Sequence, residues 1–187
     1  TRNSSSAASD VYKRQLRSSL GEKDAFVAAL PGNTRYLANS ESPPGTPPSS
    51  TMNYVVIPKK GEPIAITSSL EEHRCRHESS VNDIRCWTTY PDIKSDGKSA
   101  LEILKSSLKE IKAKQIFADT KVSLGRSFKS SVSSNLNELR SIKSEAELER
   151  IKKAIKQSDD GQRFAYNLVE SGEGLSEKEV RSEIDYF

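Results

Sequence analysis

The chain has 187 residues, 29 Lys+Arg against 26 Asp+Glu and a formal charge of +3, with 34% hydrophobic and 6% aromatic residues. Such a length suits one domain or slightly more, since roughly 100–200 residues make a domain, and a charge this small gives no reason to expect nucleic acid. The longest apolar run, Ala25–Leu30, is far short of the ~18 residues a membrane helix needs, and two cysteines cannot build a disulfide framework, which points to a reducing, cytoplasmic setting.

Residues 1–15, TRNSSSAASDVYKRQ, show no period of either kind and are rich in serine, as a tail would be. No apolar stretch here reads as a secretory signal. SSAASDVYKRQ resembles translated sequencing adapter, so the segment is expected to be a disordered or artefactual leader and is set aside from fold reasoning. Without it, 26 basic residues face 25 acidic ones.

Ala25–Leu30, bounded by charges and Pro31-Gly32, reads as a buried strand. Residues 33–38, NTRYLA, predict one or two helical turns. Residues 41–50, ESPPGTPPSS, hold four of the eight prolines; neither helix nor central strand runs through such a segment, so it is expected to be an exposed loop. Residues 53–57 and 63–67 are β-branched runs around a polar, glycine-containing turn, a hairpin signature. Ser69–Glu78 looks helical, and 83–88 alternates as a strand does. Ser99-Ala-Leu-Glu102 predicts a capping box, opening a helix with Leu101, Leu104, Leu108 and Ile111 on one face. A strand over 115–119 follows, then a helix suggested by Leu124, Phe128 and Val132. Boxes at Ser144–Glu147 and Ser176–Glu179 open two further helices, the first running to Gly172 as its stop.

Strands alternating with helices as far as about residue 140 predict an α/β domain with a mixed sheet. Residues 143–187 begin something else, since two such helices have nothing of their own to pack on.

No phosphate-binding glycine loop, nucleophile elbow or H-E-x-x-H occurs. In His73-Arg-Cys-Arg-His77 the two imidazoles would stack at i,i+4, but a zinc site wants three or four ligands and two arginines add repulsion, so a solvated face is expected. Trp87 and Tyr90 read as packing residues, and 143–156 as a solvated helix face with mixed charges. Asp159 and Asp160 are adjacent on a helix and face different directions. No catalytic constellation emerges from residue types.

Two regions resemble a known family. Asn33-Thr-Arg-Tyr-Leu-Ala38, the hairpin Tyr54-Val-Val-Ile-Pro-Lys-Lys-Gly-Glu-Pro63 and Ile66-Thr67 are similar to the N-I-R-Y-L-T-G and V-V-P-x-x-G-E-P motifs of the creatinase, prolidase and aminopeptidase P family. Leu139-Arg-Ser-Ile-Lys-Ser-Glu-Ala-Glu-Leu-Glu-Arg-Ile-Lys-Lys-Ala154 resembles the R-x-I-K-S-x-x-E-I-x-x-I-R-x-A segment leading into that family's "pita-bread" metallopeptidase domain. Gly172–Val180 looks like its G-x-T-E-x-E-V turn.

The resemblance implies a creatinase N-terminal-domain-like, ribonuclease H-like α/β domain over 16–140, with a mixed sheet flanked by helices. Residues 141–187 would then be the first helices of an incomplete pita-bread domain. It also implies hydrolysis of Xaa-Pro peptide bonds, with proline at the second position of the substrate. Two divalent ions (Mn, Co or Zn) would act as Lewis acids, held by Asp, Asp, His, Glu and Glu that all lie beyond Phe187. Hence no catalytic residue and no metal ligand falls in this chain, which alone is expected to be inactive. Homodimerisation is implied, and Asn33, Arg35 and Tyr36 become the substrate-binding candidates, acting across the dimer. The competing expectation is that Tyr36 and Leu37 pack the domain while Arg35 is solvated. Two alternatives share the architecture: a creatinase-like C–N hydrolase, and a metal-free relative serving as a peptide- or histone-binding module. The chain departs from the family pattern with Ala38-Asn39 in place of T-G, with the insert 41–50, and with a short 113–140 region suggesting a trimmed helix or lost edge strand.

Overall fold

A computed structural model of the chain describes residues 4–40, 52–171 and 174–186. These divide into two compact units, one over residues 1–141 and one over 142–187. The proline-rich insert 41–50 and the expected stop at Gly172 lie outside the described residues.

The first unit is built on a six-stranded mixed sheet: β1 (Asp24–Ala28), β2 (Met52–Pro58), β3 (Ile64–Ser68), β4 (Asp83–Trp87), β5 (Gln115–Ala118) and β6 (Lys129–Val132), in spatial order β4-β3-β2-β1-β5-β6. β1, β2 and β3 form an antiparallel meander, while β4, β5 and β6 each join a neighbour in parallel. Its helices are α1 (Ser4–Ser18), α2 (Pro31–Ala38), α3 (Glu72–Glu78), α4 (Ala100–Glu110) and α5 (Asn135–Ser141).

Both faces of the sheet are covered, which is why β1 reads as an unbroken apolar run rather than an alternating one. Phe26 and Ala28 point with Val55, Ile57 and Cys86 into one core, closed by Leu16, Leu37, Cys75 and Leu136 from α1, α2, α3 and α5. Ala25 and Val27 point with Val56, Ile66 and Ile116 into the other, closed by Ile103, Leu104 and Leu108 of α4. Each fully buried Leu, Ile or Phe contributes roughly 1.5–3 kcal/mol, so central strands and helices stabilise one another across both layers.

Four expectations change. First, residues 4–18 are helical rather than a disordered leader. Tyr12, Leu16 and Leu20, spaced four apart, are all buried, and the Tyr12 ring lies 4.8 Å from that of Tyr36. Arg17 fastens this helix to the β2–β3 turn by donating to the carbonyls of Pro58 and Gly61. Second, 124–132 is not a helix: Leu124 is buried in a loop, Gly125 takes a φ of +82°, and residues 129–132 form the exposed edge strand β6. Serines at 127, 130, 131 and 133 favour neither helix propensity nor a continuous apolar face, and the edge strand is therefore present. Third, the core face of α4 is Ile103, Leu104, Ser107 and Leu108, with Leu101 and Ile111 at its margins. Fourth, the Ser99 box is not reciprocal. Ser99 accepts from the Glu102 N–H, but the Glu102 carboxylate accepts from the Lys98 N–H instead.

The second unit consists of α6 (Glu145–Glu170) and α7 (Glu177–Tyr186). Ser144 and Glu147 make a full capping box, and Ser176 and Glu179 repeat it. No residue of either helix is buried, and Leu148, Ile151, Ile155, Val169 and Ile184 stand exposed. Among the described residues, no helix is long and apolar enough to cross a membrane.

Candidate functional site

Two buried polar side chains, Asn33 and Asp119, meet where the carboxyl ends of β1 and β5 approach α2. Open α/β sheets receive ligands in this crevice, outside the carboxyl ends of parallel strands and against a helix N-terminus. Here the chain fills it with its own side chains.

Helix α2 starts with Leu30 as N-cap and Pro31 at the first helical position. Proline suits that position, having no N–H to leave unpaired, but leucine has no acceptor with which to cap. The carboxylate at this end serves the strand-to-helix turn just before α2 and comes from 89 residues further along the chain. Asp119, immediately after β5 and 8% exposed, accepts from the Ala29 N–H at 2.9 Å, the Leu30 N–H at 3.1 Å and the Asn33 amide at 2.9 Å. A carboxylate at a helix N-terminus also meets the positive end of the helix dipole.

Asn33, 1% exposed, is fully engaged. Its Nδ2 donates to Asp119 Oδ2 and, at 3.3 Å, to Asn137 Oδ1; its Oδ1 accepts from the Arg140 guanidinium. Arg140 in turn lies over the Tyr36 ring, 5.0 Å from its centroid. At its far end α2 closes on Asn39, whose φ of 54° is left-handed, a conformation asparagine tolerates better than most non-glycine residues.

The three sequence candidates therefore part company. Asn33 is internal and holds the network together, Tyr36 is half-buried between Tyr12 and Arg140, and Arg35 lies on the exposed side of α2. Asp119, Asn137 and Arg140 went unnoticed as site residues in the sequence. Nothing in their local sequence marks them, because their partner Asn33 lies 86 to 107 residues away.

Other chemistry-bearing groups are occupied structurally. On α3, Arg74 pairs with Glu71 and Glu78 and Arg76 with Glu72, while His73 and His77 face solvent. No group of three or more His, Cys, Asp or Glu among the described residues could hold a metal. Arg85 joins edge strand β4 to α4 through Asp83, Glu110 and Ser107; its hydrogen bonds to Asp83, foremost, hold its guanidinium firmly charged. Cys75 and Cys86 are both free and buried. Burial, chiefly, pushes the Cys86 thiol up to about 12, with Glu72 adding to the effect, so it is a poor nucleophile at neutral pH.

No protein-family model matches the sequence, and no curated protein matches it. Solved structures do match. The chain is similar to the prolidase from Thermococcus sibiricus at 21% identity, covering 95% of this chain and 47% of that one with a TM-score of 0.62. It is similar to the X-Pro aminopeptidase from Thermotoga maritima MSB8 at 19% identity, covering 93% and 47% at 0.62. The aminopeptidase P structure from Streptococcus thermophilus is 18% identical, and the match covers 74% of this chain and 99% of that one at 0.54. At these identities the likeness is one of fold. The mixed sheet flanked by helices implied by the creatinase/prolidase resemblance is the fold found. The chain spans about half the length of the prolidase and X-Pro aminopeptidase chains it matches from end to end.

Proposed function

We propose that this chain is the N-terminal part of a proline-specific metallopeptidase, an Xaa-Pro aminopeptidase or Xaa-Pro dipeptidase, acting in the cytoplasm as a homodimer. The observation that carries this reading is the combined one of order and extent. A creatinase/prolidase-type sheet domain leads, through the R-x-I-K-S-like segment and its fully formed capping box at Ser144, into the helices α6 and α7. Chains of this fold that are about twice as long are prolidases and X-Pro aminopeptidases.

Residues 16–140 would be the auxiliary domain and 141–187 the opening of the catalytic one. The resemblance puts the donors for two divalent ions outside these residues, and no step of hydrolysis is assigned to them. Their contribution is architectural: a rigid sheet domain whose helix α2 presents Arg35 outward while Asn33 and Tyr36 hold it in place. Of the three substrate-binding candidates, Arg35 is the exposed one, which supports keeping it as the candidate for peptide contact across the dimer.

The test is metal uptake and cleavage by residues 1–187 alone. With manganese supplied, elemental analysis after gel filtration should show no stoichiometric metal, and an Xaa-Pro dipeptide should stay intact. Metal-dependent cleavage by this chain alone would overturn the assignment of the chemistry to residues beyond it.

A further inference from the structure

We propose that Arg140 is a positioning residue that bolts the last turn of α5, and with it the chain's exit from the first unit, to the first turns of α2. This role is independent of any peptidase chemistry.

Helix α5 has seven residues, too few to persist alone, since isolated helices shorter than ~12–15 residues are marginal in water. Its opening half is held by Leu136, fully buried in the α1–α2 core, and by Asn135, which donates to Ser19 Oγ at 3.4 Å. Its last turn reaches α2 through Arg140, with Leu139 packed partly buried beside it. Arg140 donates to Asn33 Oδ1 and lies over the Tyr36 ring. Positions 33 and 36 are one turn apart on α2, so a single planar guanidinium grips two successive rungs of that helix face.

Asn33 makes this grip more than a surface contact. Its amide passes the arginine on to the buried Asp119 carboxylate, so a cation near the surface and an anion in the interior are joined through one amide dipole. Such chains of charge-assisted hydrogen bonds polarise one another. Ser141 is the next residue, and the first unit ends there. The bolt therefore sits one residue before the chain leaves the sheet domain.

Hydrogen exchange on the whole 187-residue chain tests this. In Arg140→Gln, amides of residues 138–141 should exchange faster by about tenfold or more, the size expected for loss of one hydrogen bond to a charged group, while β1 and β5 amides keep their protection. Arg140→Lys should not restore it, because an ammonium has neither the fork nor the flat face. In Arg140→Gly, millimolar guanidinium should recover protection in 138–141 and the same concentration of sodium should not, a readout that a merely space-filling arginine would not produce. Unchanged exchange at 138–141 in Arg140→Gln, recovery in Arg140→Lys, or equal recovery with sodium would each overturn the proposal. So would a loss of protection spread evenly over β1 and β5.

Discussion

Removing the Asp119 carboxylate should destabilise the sheet domain far more than an ordinary partly exposed acid would. In Asp119→Ala, the Ala29 N–H, the Leu30 N–H and the Asn33 amide all lose their acceptor at once. Each buried donor left unpaired costs about 1–3 kcal/mol. Water can reach one or two of these groups at the end of the sheet, so the net cost should be about 3–5 kcal/mol. That is a large share of the ~5–15 kcal/mol typical of a domain. With a urea slope of ~1–3 kcal/mol per molar, the midpoint should fall by about 2 M. Trp87 is the only tryptophan and packs half-buried on the α4-side core, so its fluorescence reports this unit alone. Asp119→Asn keeps one acceptor oxygen and should lose about half as much. A loss below about 1 kcal/mol in Asp119→Ala would refute the claim that this carboxylate satisfies the buried donors of the β1–α2 turn.

Deleting residues 1–15 removes Tyr12 from its place against Tyr36 and should cost about 2–4 kcal/mol in the same assay, on the scale of removing a buried aromatic; an unchanged midpoint would reinstate the detached leader. The Cys86 thiol keeps its proton to about pH 12 when folded but ionises near the ordinary thiol range, roughly 8.5, when unfolded. Stability should therefore decline as pH rises from about 9 toward 12, and Cys86→Ala should flatten that decline in urea titrations at successive pH values. Ile151→Lys with Ile155→Lys interrupts the exposed stripe of α6 and should reduce self-association of the 187-residue chain in light scattering without moving the Trp87 transition.

Much of the sheet domain was legible because its signals are local. The apolar run at 25–30 became β1, the β-branched pair around Pro58–Glu62 became the β2–β3 hairpin, and the boxes at Ser144 and Ser176 opened α6 and α7. Helix α1 was missed although its signal was present: Tyr12, Leu16 and Leu20 keep a strict four-residue spacing, and setting aside 1–15 cut that pattern after its first member. The stretch 124–132 misled because three apolar residues four apart imitate a helix when serines and a left-handed glycine between them rule one out. The heart of the polar network could not be read at all. Asp119 ties down the turn between β1 and α2, and Arg140 reaches Asn33 across more than a hundred residues, pairings that only the closed sheet brings about.

The central claim, that this chain is the leading part of an Xaa-Pro-specific metallopeptidase, is tested most directly by expressing the complete reading frame to which it belongs and comparing metal-dependent cleavage of an Xaa-Pro and an Xaa-Ala peptide. Manganese-, cobalt- or zinc-dependent hydrolysis of the Xaa-Pro bond is expected, with Xaa-Ala left essentially uncut. Failure to cleave Xaa-Pro with any of the three metals, or cleavage of both peptides alike, would contradict it.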